Sequence, residues 1–285
     1  MSSKILVTGS TGTMGKALVQ NLLSKGVPFV AAVRSIERGK EQLNVSEDHL
    51  VKFDFEDQST YETAVDGVDK VFLLGPPFNM EVDKLLFPFI DFLKAKGINR
   101  VAYLSALGHE VVKNLPWHAI IAQKLHDDDF DYTILKPSVF AQNFKNYAGD
   151  MITQQNVIYV TSGSGKVGFV DANDVGEVAA RILTEDTHSK KTYSLTGPEV
   201  ATFYDAADIL TEILGKKIIY PNPTDEEFTA ALTAYGIPDH MIQYMIRAYA
   251  MMANDNTNII TNDVEEITGK KPASLREVFI RDFAV

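Results

Sequence analysis

A glycine-rich stretch near the start of the chain has the residue types and spacing of a phosphate-binding turn. It reads Thr8-Gly9-Ser10-Thr11-Gly12-Thr13-Met14-Gly15 and follows the apolar run Ile5–Val7. Gly9 permits a tight turn, Gly12 lets the backbone approach a pyrophosphate, and Gly15 allows the next helix to pack closely on the strand. The helix start offers free N–H groups to the phosphates. Three residues add hydroxyl donors: Ser10, Thr11 and Thr13. The sequence therefore predicts a nicotinamide dinucleotide site here rather than an ordinary strand-to-helix turn.

The residue after the second predicted strand indicates which dinucleotide is bound. An acid at this point accepts hydrogen bonds from the ribose 2′-hydroxyl of NAD. This chain has Arg34 there, and an arginine pairs with a 2′-phosphate and can stack on adenine. We therefore expect NADPH, with NADH less favoured. The alternative interpretation of Arg34 is a solvated arginine at a strand end.

The spacing Gly-x-x-Gly-x-x-Gly resembles the short-chain dehydrogenase/reductase superfamily. That resemblance implies adenine contacts from Asp54 and Phe55, although a turn cap explains Asp54 equally well. It also implies that residues at the ends of the fourth, fifth and sixth strands line the nicotinamide side of the site. The residues expected there are Leu74, Gly75, Pro76, Ser105 and Pro137.

The superfamily's Tyr-x-x-x-Lys pair is missing from the helix after the fifth strand. The pair Tyr132 and Lys136 falls on a predicted strand, where four residues span about 13 Å, so it is not a catalytic pair. The helix carries His118 instead. The alternative interpretations of His118 are a general acid, a substrate contact and a structural polar residue. Lys124 is best interpreted as a solvated helix lysine. Ser105 can bind substrate or the nicotinamide amide, or satisfy local backbone.

The elements that would position these residues alternate between short apolar runs and amphipathic segments. Helices are predicted over Lys16–Lys25, over Asp171–Leu183 with Asp171 as its cap, and within Glu81–Lys96, where Pro88 requires a kink or a later start. The predicted strands are Ile5–Val7, Phe29–Val33, Leu50–Phe53, Val71–Leu74, Val101–Leu104, Tyr132–Leu135 and Lys191–Leu195.

This alternation predicts an α/β fold with a Rossmann-type, doubly wound parallel sheet. We expect a dinucleotide-binding domain over residues 1–137. Residues 138–285 would complete the sheet edge and form a smaller, mostly helical part on the substrate side.

Composition narrows the classes of partner. The chain has 285 residues, no cysteine and a net charge of −11. These features disfavour disulfides, nucleic acid and anionic membranes, and no metal site is expected. With no signal segment and no membrane-length apolar run, a cytoplasmic location is expected. A homodimer is compatible with the sequence.

Further motifs extend the resemblance along most of the chain. They are Ala102-Tyr103-Leu104-Ser105, Tyr132-Thr133-Ile134-Leu135-Lys136-Pro137, Gln142-Asn143-Phe144, Gly163-Ser164-Gly165-Lys166 and Tyr193-Ser194-Leu195-Thr196-Gly197. In this order they resemble the NmrA-like branch of atypical short-chain reductases, closest to bacterial NAD(P)H:quinone oxidoreductases and triphenylmethane-dye reductases. Two positions depart from that pattern: Ala122 replaces the glutamate of His-x-x-x-Glu, and Lys136 replaces an arginine.

The resemblance implies a substrate cleft between the nicotinamide and residues 139–148. Candidates to hold a flat substrate are Phe140, Asn143, Phe144 and Tyr147, and ordinary packing explains the apolar ones equally well. The leading hypothesis is an NADPH-dependent reductase of planar acceptors such as quinones or dyes, acting by direct hydride transfer. A non-catalytic NADP(H) redox sensor is the main alternative. A nucleotide-sugar epimerase is less favoured because it needs a competent base.

Overall fold

A seven-stranded, entirely parallel sheet forms the centre of the protein. The computed structural model describes residues 4–108 and 116–284. The strands are β1 (Lys4–Val7), β2 (Phe29–Val33), β3 (Leu50–Lys52), β4 (Val68–Leu73), β5 (Arg100–Leu104), β6 (Asp131–Pro137) and β7 (Lys191–Leu195). Their order across the sheet is β3-β2-β1-β4-β5-β6-β7. The predicted fold class and all seven predicted strands are confirmed, with ends that differ by at most three residues.

Helices cover both faces of this sheet and form the remaining part of the molecule. They are α1 (Thr13–Ser24), α2 (Ile36–Leu43), α3 (Tyr61–Ala64), α4 (Val82–Ala95), α5 (Pro116–Asp127), α6 (Asn143–Asp150), α7 (Ala172–Thr184), α8 (Phe203–Leu214), α9 (Asp225–Ala234), α10 (Asp239–Ala253), α11 (Asp263–Thr268) and α12 (Leu275–Phe283). In the described part of the chain, none of them is long and apolar enough to cross a membrane.

The chain reverses its direction of winding between β1 and β4. From β1 it proceeds outward through β2 and β3, then returns to the other side of β1 as β4. A crevice opens at such a switch point, because the loops after the two central strands turn to opposite faces of the sheet. The glycine-rich turn after β1 lies at this crevice.

Close packing on one face fixes the position of α1. A Cβ on Gly176 of α7 would lie 2.8 Å from the Cβ of Ala17, so only glycine permits this approach of the two helices. Asp171 caps α7 as predicted, because its carboxylate accepts a hydrogen bond from the N–H of Asn173 at 2.9 Å. Helix α1 is thereby held with its first turn at the crevice.

Residues 138–285 contribute to both parts of the molecule. Strand β7 pairs with β6, and α7 packs against α1, so the second half completes the sheet layers. A separate apolar cluster joins α6, α8 and α12. The chain turns at Gly163, and a Cβ on Gly165 would lie 1.9 Å from the carbonyl oxygen of Met252. This contact holds the end of α10.

Helix α4 differs from expectation in one respect. Pro88 lies in its interior and the helix begins at Val82, so of the two predicted alternatives, a kink or a later start, the later start is wrong. A proline inside a helix removes one hydrogen bond from the preceding turn. Buried residues of α4 on either side of Pro88, Leu86 and Phe89 among them, pack into the core and stabilise the helix despite that loss.

Candidate functional site

One large cavity of about 1200 Å³ extends along the carboxyl ends of the strands. It connects the glycine-rich turn with a chamber beneath α10. Most of the residues predicted to contact a cofactor line it: Gly9, Thr11, Gly12, Thr13, Met14, Arg34, Asp54, Phe55, Leu74, Gly75, Pro76, Ser105 and Pro137. Nearly all the predicted positions therefore meet in one continuous space.

The backbone of the turn has the tight geometry that its glycine spacing predicts. Gly9 has a φ of +60°, a left-handed conformation that side chains other than glycine rarely adopt. A Cβ on Gly15 would lie 2.2 Å from the carbonyl oxygen of Gly9, so the helix packs directly on the turn. The Thr8 hydroxyl accepts a hydrogen bond from the N–H of Leu74 at 2.8 Å. That bond ties the turn to the end of β4.

Helix α1 begins with unsatisfied N–H groups. Its cap residue is Gly12, no side chain caps it, and its first turn has no acidic residue. The first N–H groups of a helix lack partners within the helix, and they carry a partial positive charge. Since Gly12 also lines the cavity, this helix start suits a pyrophosphate.

Two of the three hydroxyls predicted to donate to a phosphate already have protein partners. Ser10 is fully buried and donates to the carbonyl of Ala32 at 2.7 Å, so its predicted role as a hydroxyl donor to phosphate is wrong. The Thr13 hydroxyl accepts a hydrogen bond from the side-chain amide of Asn146 at 2.9 Å. Because a hydroxyl can donate while it accepts, Thr13 keeps its own hydrogen for a ligand.

The end of the cavity beside β2 and β3 carries charged groups of both signs. Arg34 is exposed there, near Asp54, Phe55 and Glu56 in the lining. The N–H of Glu56 donates to the Asp54 carboxylate at 3.1 Å, so Asp54 forms a turn cap while it also borders the cavity. The two interpretations of Asp54 are therefore compatible.

The other end of the cavity is an aromatic chamber, which we define by Phe78, Trp117, Tyr147 and Tyr244. The Phe78 ring lies edge-on to Tyr147 at 5.7 Å and to Tyr244 at 5.4 Å, between ring centroids. Trp117 stacks on Tyr244 at 5.9 Å, with 23° between the ring planes. Phe78 has a φ of +60°, which is unusual for a bulky residue and which the surrounding structure must hold in place. Flexible methionine side chains of α10, Met241 and Met245, also line this chamber.

Three of the four predicted substrate contacts border the cavity. Phe140, Asn143 and Tyr147 line it, and Tyr147 is 56% exposed. Phe144 does not, and its predicted role is wrong. It is 3% exposed and lies among Phe169, Phe203 and Phe279, because α6 turns this side chain toward the core formed with α8 and α12.

Sequence reasoning missed the part of the chamber that α10 supplies. Met241, Tyr244, Met245 and Ala248 occupy positions i, i+3, i+4 and i+7, which is the pattern of one helix face. That signal was present, but periodicity alone does not distinguish a face that packs on the core from a face that lines a cavity.

A tyrosine–histidine pair lies on the cavity wall. Tyr103, at the end of β5, is 1% exposed, and its hydroxyl lies 2.9 Å from Nδ1 of His118 on α5. Burial raises the pKa of Tyr103 well above its ordinary value, so the phenol keeps its proton. Both residues line the cavity. The pair brings together the predicted candidate His118 and a residue that was not predicted.

The helix lysine has a different environment from the one predicted. Lys124 is not solvated: its ammonium pairs with Asp91 at 2.6 Å and with Asp128 at 2.9 Å, and its side chain is only 18% exposed. It does not line the cavity. The helix after β5 therefore directs His118 to the cavity and Lys124 to a separate ion-pair cluster on α4 and α5.

Comparison with known proteins agrees with this architecture. The model of the NmrA-like family matches residues 1–281. The protein named uncharacterized oxidoreductase YesF from Bacillus subtilis is 31% identical over 274 residues, which cover 96% of this chain and 93% of its own.

Two solved structures share the whole fold. The NADPH-dependent quinone oxidoreductase of Escherichia coli, solved with NADPH, superposes with a TM-score of 0.86 at 25% identity and covers 97% of this chain and 99% of its own. The triphenylmethane reductase of a Citrobacter species gives a TM-score of 0.86 at 25% identity and covers 98% of this chain and 99% of its own. All three names are those of oxidoreductases, in agreement with the predicted reductase class. The chain belongs to the NmrA-like family.

Proposed function

We propose that this protein is an NADPH-dependent reductase that passes a hydride directly to planar acceptors such as quinones or dyes. The observation that carries the proposal is the single cavity in which the glycine-rich turn and the aromatic chamber open into each other. A dinucleotide held on the turn and a flat acceptor held in the chamber would share one space. Direct transfer requires that proximity and orientation.

The residues present fit a dinucleotide. The uncapped start of α1 and the left-handed Gly9 suit its pyrophosphate. Arg34 lines the same cavity, and its guanidinium would pair with a 2′-phosphate, which supports the proposal of NADPH over NADH. Pro76, Ser105 and Pro137 lie at or just after the ends of β4, β5 and β6 and line the same cavity, and the nicotinamide would lie against them. When bound, the reduced nicotinamide supplies the hydride.

The aromatic chamber determines which acceptors fit. Its ring faces can stack on a flat conjugated molecule, and methionine side chains adapt to different outlines. This composition suits a range of planar acceptors rather than one densely hydroxylated sugar, which would need many polar partners.

The test is NADPH consumption by the purified protein with a panel of quinones, cationic dyes and nitroaromatics. We expect turnover with at least one class, and tighter binding of NADPH than of NADH by calorimetric titration. NADPH binding without oxidation by any member of the panel would refute the proposal and favour the non-catalytic redox sensor. The names of the neighbours support the panel, since one reduces quinones and the other is a triphenylmethane reductase.

A further inference from the structure

Three tyrosines at the chamber end of the cavity carry hydroxyls that the protein does not use. They are Tyr147 on α6 and Tyr244 and Tyr249 on α10, and all three line the cavity. Within residues 4–108 and 116–284, no group forms a hydrogen bond with any of these hydroxyls. Tyrosines elsewhere in the core differ, since the Tyr61 hydroxyl donates to the carbonyl of Phe55 at 2.6 Å. We call the three hydroxyls the phenol cluster.

The members of the phenol cluster are electrostatic neighbours. The Phe78 ring lies edge-on to both Tyr147 and Tyr244. Burial raises the pKa of Tyr244 and of Tyr249, and the Tyr147 phenol adds to both rises. Burial also raises the pKa of Tyr147 itself. Each phenol therefore keeps its proton at neutral pH and remains a hydrogen-bond donor.

The surroundings of the cluster offer these donors little. The Tyr249 ring packs against Phe228, with 5.7 Å between the ring centroids, and a phenyl ring has no strong acceptor. In the part of the chain that the structure describes, the completely enclosed side-chain oxygens without a partner belong to Ser138, Asn156 and Ser162. The phenol oxygens are not enclosed in this way, so a small molecule in the cavity can reach them. A ligand that supplies acceptors would satisfy them.

We infer that the phenol cluster binds the oxygen of the electron acceptor, and that the preferred acceptors are planar conjugated molecules that end in oxygen, namely quinones and quinone methides. The inference rests on the proposed function, which makes the ligand of the chamber an electron acceptor. A carbonyl oxygen has two lone pairs and can accept from two phenols at once, while the aromatic rings hold the faces of the molecule.

These contacts strengthen during reduction. The hydride leaves C4 of the nicotinamide and adds to a carbon of the acceptor, an electron pair of the conjugated system moves to the oxygen, and water then protonates that oxygen. Donors that keep their own protons stabilise the negative charge as it develops. A cationic dye with amino ends becomes neutral when it takes up a hydride, so the phenol cluster gives it no such help.

The experiment compares two dyes with one skeleton. Malachite green ends in two dimethylamino groups, whereas benzaurin has a carbonyl and a hydroxyl oxygen at the same positions. Their affinities are measured by equilibrium dialysis against protein saturated with NADP⁺, which cannot reduce them. Tyr249→Phe removes one hydroxyl and keeps the ring. We expect the ratio of benzaurin affinity to malachite green affinity to fall about 3- to 10-fold, which is the effect of losing one neutral hydrogen bond.

Two further variants separate binding from structure. Tyr204 also carries a hydroxyl without a hydrogen-bond partner in the described residues, but it lies outside the cavity lining, so Tyr204→Phe should leave the affinity ratio unchanged. The Tyr220 hydroxyl accepts from the N–H of Ser162 at 3.0 Å and donates to the side-chain oxygen of Asn222 at 2.8 Å. Tyr220→Phe should therefore lower the urea midpoint of unfolding, whereas Tyr249→Phe should leave it unchanged.

The outcomes separate the inference from the proposed function. An equal loss of affinity for both dyes in Tyr249→Phe, or no loss for benzaurin, would overturn the inference and leave the reductase proposal intact. The expected fall in the ratio, combined with no oxidation of NADPH by either dye, would refute the reductase proposal and keep the phenol cluster as an oxygen-binding subsite.

Discussion

Asp174 tests how burial affects a carboxylate of α7, the helix that packs against α1. It lies in the first turn of α7, and its carboxylate accepts a hydrogen bond from the N–H of Ala273 at 2.8 Å. Asp171, Glu177 and Arg281 also act on it electrostatically. Burial is the main cause that raises the pKa of Asp174 to about 6, and the neighbouring carboxylates add to this rise. The carboxylate is therefore less favourable in the folded protein than in the unfolded chain.

We predict that replacing Asp174 with Asn stabilises the protein at alkaline pH. At 1.36 kcal/mol per pKa unit, the rise from 3.8 to about 6 would amount to about 3 kcal/mol. The group is partly open to solvent, so we discount this figure to about 1 kcal/mol. Because the folded pKa lies above the unfolded value, the ionisation penalty is complete above pH 6 and disappears as the pH falls toward 3.8. The asparagine oxygen can still accept the bond from Ala273.

The assay is urea unfolding at pH 8 and at pH 4, followed by circular dichroism. The variant should be more stable at pH 8 and should lose most of this advantage at pH 4. Asp208→Asn is the control, since that carboxylate is exposed, and its effect should be small. Destabilisation by Asp174→Asn at pH 8, or an equal gain at both pH values, would refute the reasoning.

Two further predictions concern the cofactor preference and the two aromatic residues of α6. Arg34→Ala should weaken NADPH binding by about 10- to 100-fold, because a charge-assisted pair is lost, and should change NADH binding little. The control is Arg38→Ala, since Arg38 does not line the cavity. Equal losses of affinity for both cofactors would contradict the assignment of Arg34. Phe144→Ala should destabilise the protein by about 3–5 kcal/mol, whereas Tyr147→Ala should raise the KM for the acceptor with little change in unfolding free energy. A reversed pattern would show that the two aromatic roles are misassigned.

The sheet and the glycine-rich turn were predictable because their signals are local. Strands covered on both faces are nearly continuous apolar runs, and β2 is buried at every position. The requirement for Gly9 and Gly15 arises within a single turn, so the spacing alone indicates it.

The opposite end of the cavity was harder to predict because its residues meet only through tertiary structure. Phe144 and Tyr147 are three residues apart on one helix, and only the packing of α8 and α12 decides which of them is buried. Tyr103 lies in an apolar strand and shows no sign of its contact with His118, fifteen residues away. The part of the chamber that α10 supplies likewise depends on how residues 203–284 pack over the sheet.

The central claim is direct hydride transfer between a cofactor and an acceptor that share one cavity. It is tested most directly with NADPH deuterated at both C4 positions and malachite green as the acceptor. The account predicts that one deuterium appears at the central carbon of the reduced dye, with slower single-turnover oxidation than with unlabelled NADPH. Reduced dye without deuterium would contradict the claim, because the hydrogen would then have come from solvent or from another carrier.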